Sequence, residues 1–325
     1  MVTPQVPIGS GFGASSTAAE VIKGIDLTGK NVVVTGGYSG IGLETVRAFH
    51  AAGAKVTVTA RDMEKAKAAL REMPDVLIDY LDLLQPASID AFADRFFSQF
   101  DKLHILVNNA GVMAAPLTRD ERGYESQFAA NHLGHFQLTC RLWPALVRAE
   151  GARVVSLSSY GYIRGGIDFH DPHFNQREYH PWVAYGQAKR ANALFAVALD
   201  SIGMRQGVRA FSVHPGGIVT DLQRHLSQAE LDALKLFDEA GKPIIDPEGV
   251  DRKSPQQGAA TSVWCATSPL LEGMGGVYCV NCEIAPLLPS DESTERFGIR
   301  PSAIDPVAAG RLWQLSEQLT GTKLD

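Results

Sequence analysis

Cysteine is scarce in this 325-residue chain: only Cys140, Cys265, Cys279 and Cys282. Four are too few for a disulfide framework in a chain of this length. Two of them form a C-x-x-C, "CVNC", but a structural zinc site needs a second pair or two histidines at matching spacing, and none follows. The surrounding "GGVYCVNCEIAP" runs from an apolar strand into a proline-ended loop, so buried thiols are expected rather than a redox dithiol. Positive charge is not in excess. Thirty Lys and Arg stand against 36 Asp and Glu, a net charge of −6, which argues against a nucleic-acid binder. No apolar run approaches the roughly 18 residues of a membrane helix. The opening "MVTPQVPIGSGFGASSTAAEV" lacks the charged head and apolar core of a secretory leader. Internal repeats and domain-splitting linkers are missing as well. The expectation is a cytoplasmic protein with no nucleic-acid or membrane partner.

What the chain has is alternation. After a Gly/Ser-rich stretch and a short helical patch, "TAAEVIKGI", short apolar runs alternate with segments of helical periodicity. The spacing predicts strands over 31–37, 55–61, 76–83, 103–111, 152–159, 208–216 and 275–280. It predicts helices over 42–54, 63–73, 88–100, 124–149, 183–204 and 254–267. Strands that are apolar throughout belong to a parallel sheet covered on both faces. The fold class is therefore α/β: one doubly wound, Rossmann-type parallel sheet of about seven strands with helices on both faces. Residues 1–28 read as an N-terminal extension and 29–325 as the folded domain. Two segments, 160–182 and 221–253, interrupt the rhythm and are expected to form substrate loops or a lid.

The first strand runs into "TGGYSGIG", with Gly36, Gly40 and Gly42 spaced G-x-x-x-G-x-G. Glycines at a first strand–helix junction let the backbone turn sharply and present amides to a pyrophosphate. The second strand ends in "TAR". Where an NAD site carries an acid for the ribose hydroxyls, Ala60 stands, and Arg61 beside it can pair with a 2′-phosphate. This favours NADP(H). Asp82, after the third strand, suits either the adenine amino group or an ordinary turn-capping role.

In "AYGQAKRAN", Tyr185 and Lys189 lie one helical turn apart among small residues. Beside a bound cofactor, a lysine can bring a tyrosine toward a working pKa for proton transfer. On a plain surface helix the pair would mean little.

The pieces "TGGYSGIG", "NNAG" (108–111), "SS" (158–159), "YGQAK" (185–189) and "HPGGIVT" (214–220), in this order, resemble the classical short-chain dehydrogenase/reductase family. "NHLGHF" (131–136), "TARDMEKA" and "TAAEVIKGIDLTGK" resemble its retinol dehydrogenase-like and WW-domain oxidoreductase-like branch. The resemblance implies a catalytic tetrad. Tyr185 is the general acid/base, Lys189 holds the nicotinamide ribose and lowers the tyrosine pKa, Ser159 polarises the substrate oxygen and Asn131 supports a proton-relay water. It implies cofactor contacts from Gly36, Tyr38, Ser39, Gly40, Ile41 and Gly42, from Leu83 beside Asp82, from Asn108, Ala110 and Gly111, and from Pro215, Gly216, Ile218 and Thr220. It implies a small, apolar alcohol or carbonyl substrate. It also implies a homodimer or homotetramer paired through helix 124–149 and the helix carrying Tyr185. A catalytically silent cofactor-binding scaffold and a double-bond reductase are the alternatives. The aromatics of 160–182 (Tyr160, Tyr162, Phe169, Phe174, Tyr179 and Trp182) suit either a pocket wall or a small core. Asp168, His170, Asp171 and His173 sit in a turn-rich stretch, and no metal is expected there.

Overall fold

The computed structural model describes residues 2–250, 252–295 and 297–324. Asp251 of the expected 221–253 segment, and the far end of the expected 29–325 domain at Asp325, lie outside the described residues. Eight strands form one sheet: β1 Asn31–Thr35, β2 Lys55–Ala60, β3 Leu77–Tyr80, β4 Ile105–Asn108, β5 Ala152–Leu157, β6 Val208–His214, β7 Val277–Val280 and β8 Glu283–Ile284. Their order is β3-β2-β1-β4-β5-β6-β7-β8. Every pairing is parallel except that of the two-residue β8 with β7. β8 is the strand that periodicity did not show, because two residues carry no pattern.

The winding direction reverses between β1 and β4, and such a switch point opens a crevice at the carboxyl ends of the strands. Strands stop earlier than their apolar runs suggest. β1 ends at Thr35 because Gly36 adopts φ +63° and turns the chain out of the sheet.

Helices Gly40–Ala51 and Pro255–Thr267 cover one face, with Ala18–Ile22 packed against them. Pro86–Phe97, Pro181–Gly203 and a central helix cover the other. The central helix runs as α-helix over Ser126–Phe128, as π-helix over Ala129–Leu133 and as α-helix again over Gly134–Arg148. Gly134 lets it close directly on the backbone of Leu83; a Cβ there would stand 2.8 Å from that residue's own Cβ.

Two segments dock where sequence periodicity says little. The N-terminal stretch is stitched to the sheet edge. The Glu283 carboxylate accepts the backbone N–H groups of Ile8, Gly9 and Ser10 at 2.8–2.9 Å, and Gln5 donates to the carbonyls of Tyr278 and Ala285. A C-terminal helix, Pro306–Thr320, covers the helix faces from which pairing with a second copy is expected. Trp313 stacks on Phe195 (6.0 Å, 5°) and meets Phe136 edge-on at 4.8 Å.

Candidate active site

A cleft of about 690 Å³ opens along the carboxyl ends of the strands. Its floor on one side is the glycine loop. Gly36 and Gly40 both have positive φ. A Cβ on Gly36 would stand 3.1 Å from Ala110 Cβ, one on Gly40 3.0 Å from Thr220 Cγ2, and one on Gly42 2.6 Å from Asn109 Nδ2. The loop is thus pressed against β4 on one side and the chain after β6 on the other, with its amides at the start of helix Gly40–Ala51. Tyr38, Ser39, Ile41, Arg61, Asp82, Leu83, Ala110, Gly111, Pro215, Gly216, Ile218 and Thr220 all line the same cleft.

Asn108 does not. It lies on the buried side of β4, donates Nδ2 to Thr139 Oγ1 at 3.3 Å and is absent from the cleft wall. Side chains alternate along a strand, so its neighbour Asn109 faces the loop instead. Asn109 donates Nδ2 to Thr35 O at 2.7 Å.

Thr35 is the centre of a buried network. Its Oγ1 accepts the backbone N–H groups of Asn109 and Ala110, both at 2.9 Å. With His135 Nδ1–H donating to Asn131 O at 3.0 Å, Nε2 is the acceptor for the Thr35 hydroxyl at 2.9 Å, nearer than the Val107 carbonyl at 3.4 Å. Burial pulls the His135 imidazole down to about 4, which keeps it in the neutral form this chain of bonds needs. Asn131 sits in the π-helical turn, and its side chain clamps Val112 by accepting from its N–H at 2.8 Å and donating to its carbonyl at 2.9 Å. An extra residue in a helical turn re-aims side chains in this way, commonly at functional sites.

At the inner end of the cleft stand Ser159, Tyr185 and Lys189. Ser159 lies beside the Tyr185 phenol, and its hydroxyl accepts Gly161 N–H at 3.0 Å. Gly161 has to be small, since a Cβ would stand 2.8 Å from the Tyr185 ring. Lys189 Nζ lies 5.7 Å from the Tyr185 ring centroid and donates to Leu157 O at 2.8 Å. Tyr185 is 3% exposed and Lys189 5%. Burial pushes the phenol up to about 12, against a smaller downward pull from Ser159, and brings the ammonium down to about 8. Withdrawal from water penalises the phenolate in the protein alone, before any charge from a bound cofactor is added.

The aromatics of 160–182 divide between the two expected roles. Tyr160 and Trp182 line the cleft, while Tyr162 and Phe174 are buried in small cores. The Asp168 and Asp171 carboxylates are engaged by loop backbone. Asp168 accepts from His170 and Asp171, and Asp171 from Asn175, Gln176 and Arg177. Above Tyr185, Met113, Ala114, Trp182, Leu222 and Leu226 form an apolar roof. The Trp182 indole N–H donates to Glu230 at 3.0 Å, joining the 160–182 and 221–253 segments over the cleft.

A parallel sheet with a glycine-cradled crevice at its switch point defines a dinucleotide-binding α/β protein. The short chain dehydrogenase family model matches residues 30–231, and the chain belongs to that family of nicotinamide-dependent oxidoreductases. It is 43% identical over 297 residues to a "Probable oxidoreductase" of Streptomyces antibioticus, covering 89% of this chain and 97% of that protein. It is 38% identical over 303 residues to retinol dehydrogenase 12 of Mus musculus, covering 91% and 88% respectively. A solved structure of an uncharacterized protein from Mycobacterium paratuberculosis superposes with a TM-score of 0.72 at 32% identity, covering 95% of this chain and 99% of that one. The similarity to retinol dehydrogenases extends over almost the whole chain and supports the retinol dehydrogenase-like branch.

Proposed function

We propose that the protein is an NADP(H)-dependent oxidoreductase that reduces the carbonyl of a small apolar substrate, with Tyr185 as the proton donor. The observation carrying this reading is the buried Tyr185 beside Ser159 beneath an apolar roof, in a cleft that can take a dinucleotide. The cradle fits the cofactor, because Gly36, Gly40 and Gly42 line the cleft without side chains and the positive φ of Gly36 and Gly40 turns the backbone there, as close approach to a pyrophosphate requires. The glycine loop, Ala110, Gly111 and the 215–220 stretch would hold it, and Asp82 would share the adenosine end. Asp82 also keeps a turn-capping role, accepting Leu84 N–H at 3.0 Å. Arg61 is exposed, lines the cleft and makes no ion pair among the described residues. The neighbouring Asp62 caps Lys65 N–H at 3.0 Å, which leaves Arg61 available to a 2′-phosphate.

When bound, the nicotinamide exchanges a hydride with the substrate carbon and, in its oxidised form, adds a positive charge to the site. The residues handle the proton. The substrate oxygen sits between the Ser159 and Tyr185 hydroxyls, and Tyr185 gives its proton to the developing alkoxide. Lys189 would hold the ribose, and burial brings its ammonium down to about 8, where it can pass a proton near neutral pH. With the phenol at about 12, forming phenolate at pH 7 costs about 7 kcal/mol in the protein alone. A protonated phenol is ready to act as the acid in the reductive direction. Four buried free cysteines suit a reducing compartment such as the cytoplasm.

Tyr185→Phe keeps the ring and removes the transferable proton. Turnover of aldehydes followed by NADPH absorbance is expected to collapse, while NADPH binding measured by fluorescence persists. Near-normal turnover by this variant on a substrate the parent enzyme uses would overturn the mechanism.

A further inference from the structure

The whole chain is acidic, at −6, yet six basic and three acidic side chains line the cleft. The three acids already have partners. Asp62 caps a helix, Asp82 holds the turn at Leu84, and Asp221 pairs with Lys65 at 2.7 Å. The lining carboxylate nearest the substrate end, Asp221, sits on the same short helix as Arg224 and is paired with Lys65. The substrate end has Arg164 and Arg224, both exposed, neither in an ion pair among the described residues. Glu230, the nearby acid, is committed to the Trp182 indole N–H and to Ser227.

Arg164 is held in place rather than trailing in solvent. Its guanidinium carbon lies 4.9 Å over the Trp182 ring, and that ring meets Tyr185 edge-on at 6.1 Å. The guanidinium is therefore no farther than about 11 Å from the phenol ring, with an apolar indole between them. Arg224 lies on the short helix Asp221–His225, steadied by a bond from its guanidinium to Asp221 O at 3.0 Å. Stacking on an indole leaves the guanidinium edge free to grip a carboxylate through two parallel N–H bonds.

We propose that the substrate is an apolar aldehyde or ketone carrying a carboxylate at the end remote from the carbonyl, gripped by Arg164 with Arg224 adding to the local field. The proposal rests on the carbonyl-reducing reading above. The apolar middle of the substrate lies along Trp182 and Leu222, and the reacting carbon reaches Tyr185. A carboxylate seated on Arg164 fixes how far the chain can enter, so the charge at the mouth selects length as well as polarity.

The test compares 8-oxooctanoate with its methyl ester, a pair alike in length and differing in charge. Wild-type enzyme with NADPH is expected to favour the acid in kcat/KM by about tenfold or more, the scale of one charged hydrogen-bonded contact. Arg164→Gln should bring that ratio close to one, Arg164→Lys should restore part of it, and added salt should narrow it. Equal or better use of the ester by the wild type would overturn the proposal, as would an Arg164→Gln variant that keeps the ratio. Calorimetry of octanoate against octanamide on the NADP-loaded protein reads the same contact without turnover. Tighter octanoate binding that is lost in Arg164→Gln supports the anion site even if neither aldehyde reacts, an outcome that would count against the carbonyl-reducing reading alone. Equal binding of the two removes the site.

Discussion

Thr35 Oγ1 stands 2.9 Å from His135 Nε2 in a part of the molecule closed to water, and this one contact ties the end of β1 to the helical turn that carries Asn131. Thr35→Val strands an imidazole acceptor and two backbone donors, while His135→Leu strands the Thr35 hydroxyl and the Asn131 carbonyl. Each is expected to cost about 1–3 kcal/mol of stability. The two belong to one network, so the double variant should lose less than the sum. Urea unfolding of the cycle decides the point; strict additivity would show that the two residues act separately.

Three histidines are kept neutral mainly by burial: His132 is brought down to about 3, and His135 and His173 to about 4. A free histidine titrates near 6.5. Between roughly pH 6.5 and 4 the unfolded chain therefore binds protons that the folded protein refuses, and stability falls as pH falls through this window. Above it these groups contribute nothing. Each is worth up to about 1.4 kcal/mol per pH unit, so at pH 5 the three together approach the net stability of an ordinary domain. Denaturation midpoints should drop steeply from pH 6.5 to 5 and less steeply in His132→Asn, whose ring now bonds Ser316 at 2.7 Å. A flat profile over that range would refute the assignment.

Arg61 should set the choice between the two nicotinamide cofactors. Arg61→Ala is expected to weaken NADPH binding by about 1.5–3 kcal/mol, the worth of a charged hydrogen bond, with little effect on NADH. Titration of both cofactors into both proteins measures it. Equal affinities in the wild type would end the argument.

We propose that the roof over the cleft opens. Helix Gln228–Leu234 has no buried residue and ends at Lys235 in the left-handed conformation, φ +48°. Its tie to the rest of the roof is the Trp182–Glu230 bond. Amides over 225–250 should exchange quickly in the free enzyme and slow markedly with NADPH and substrate, and Glu230→Gln should speed the free exchange further. High protection that ligand does not change would make this segment a fixed wall and leave 160–182 as the gate.

Much of the molecule was legible in the sequence because its signals are local. The strand–helix alternation that makes the doubly wound sheet follows from side-chain periodicity within a dozen residues at a time. The glycine loop shows because Gly36 and Gly40 adopt left-handed φ values that favour glycine, and Tyr185 with Lys189 shows because one helical turn sets their spacing. The tertiary structure decided what depends on distant partners. It turned Asn109 toward the glycine loop and Asn108 away, since the facing of a strand residue depends on where the sheet ends. It made His135 a neutral link, packed Pro306–Thr320 against the central helix and the helix carrying Tyr185, and pinned the N-terminal stretch to Glu283. It also set the phenol of Tyr185 above its ordinary pKa. Desolvation is a property of everything packed around a group, and no short stretch of sequence contains it.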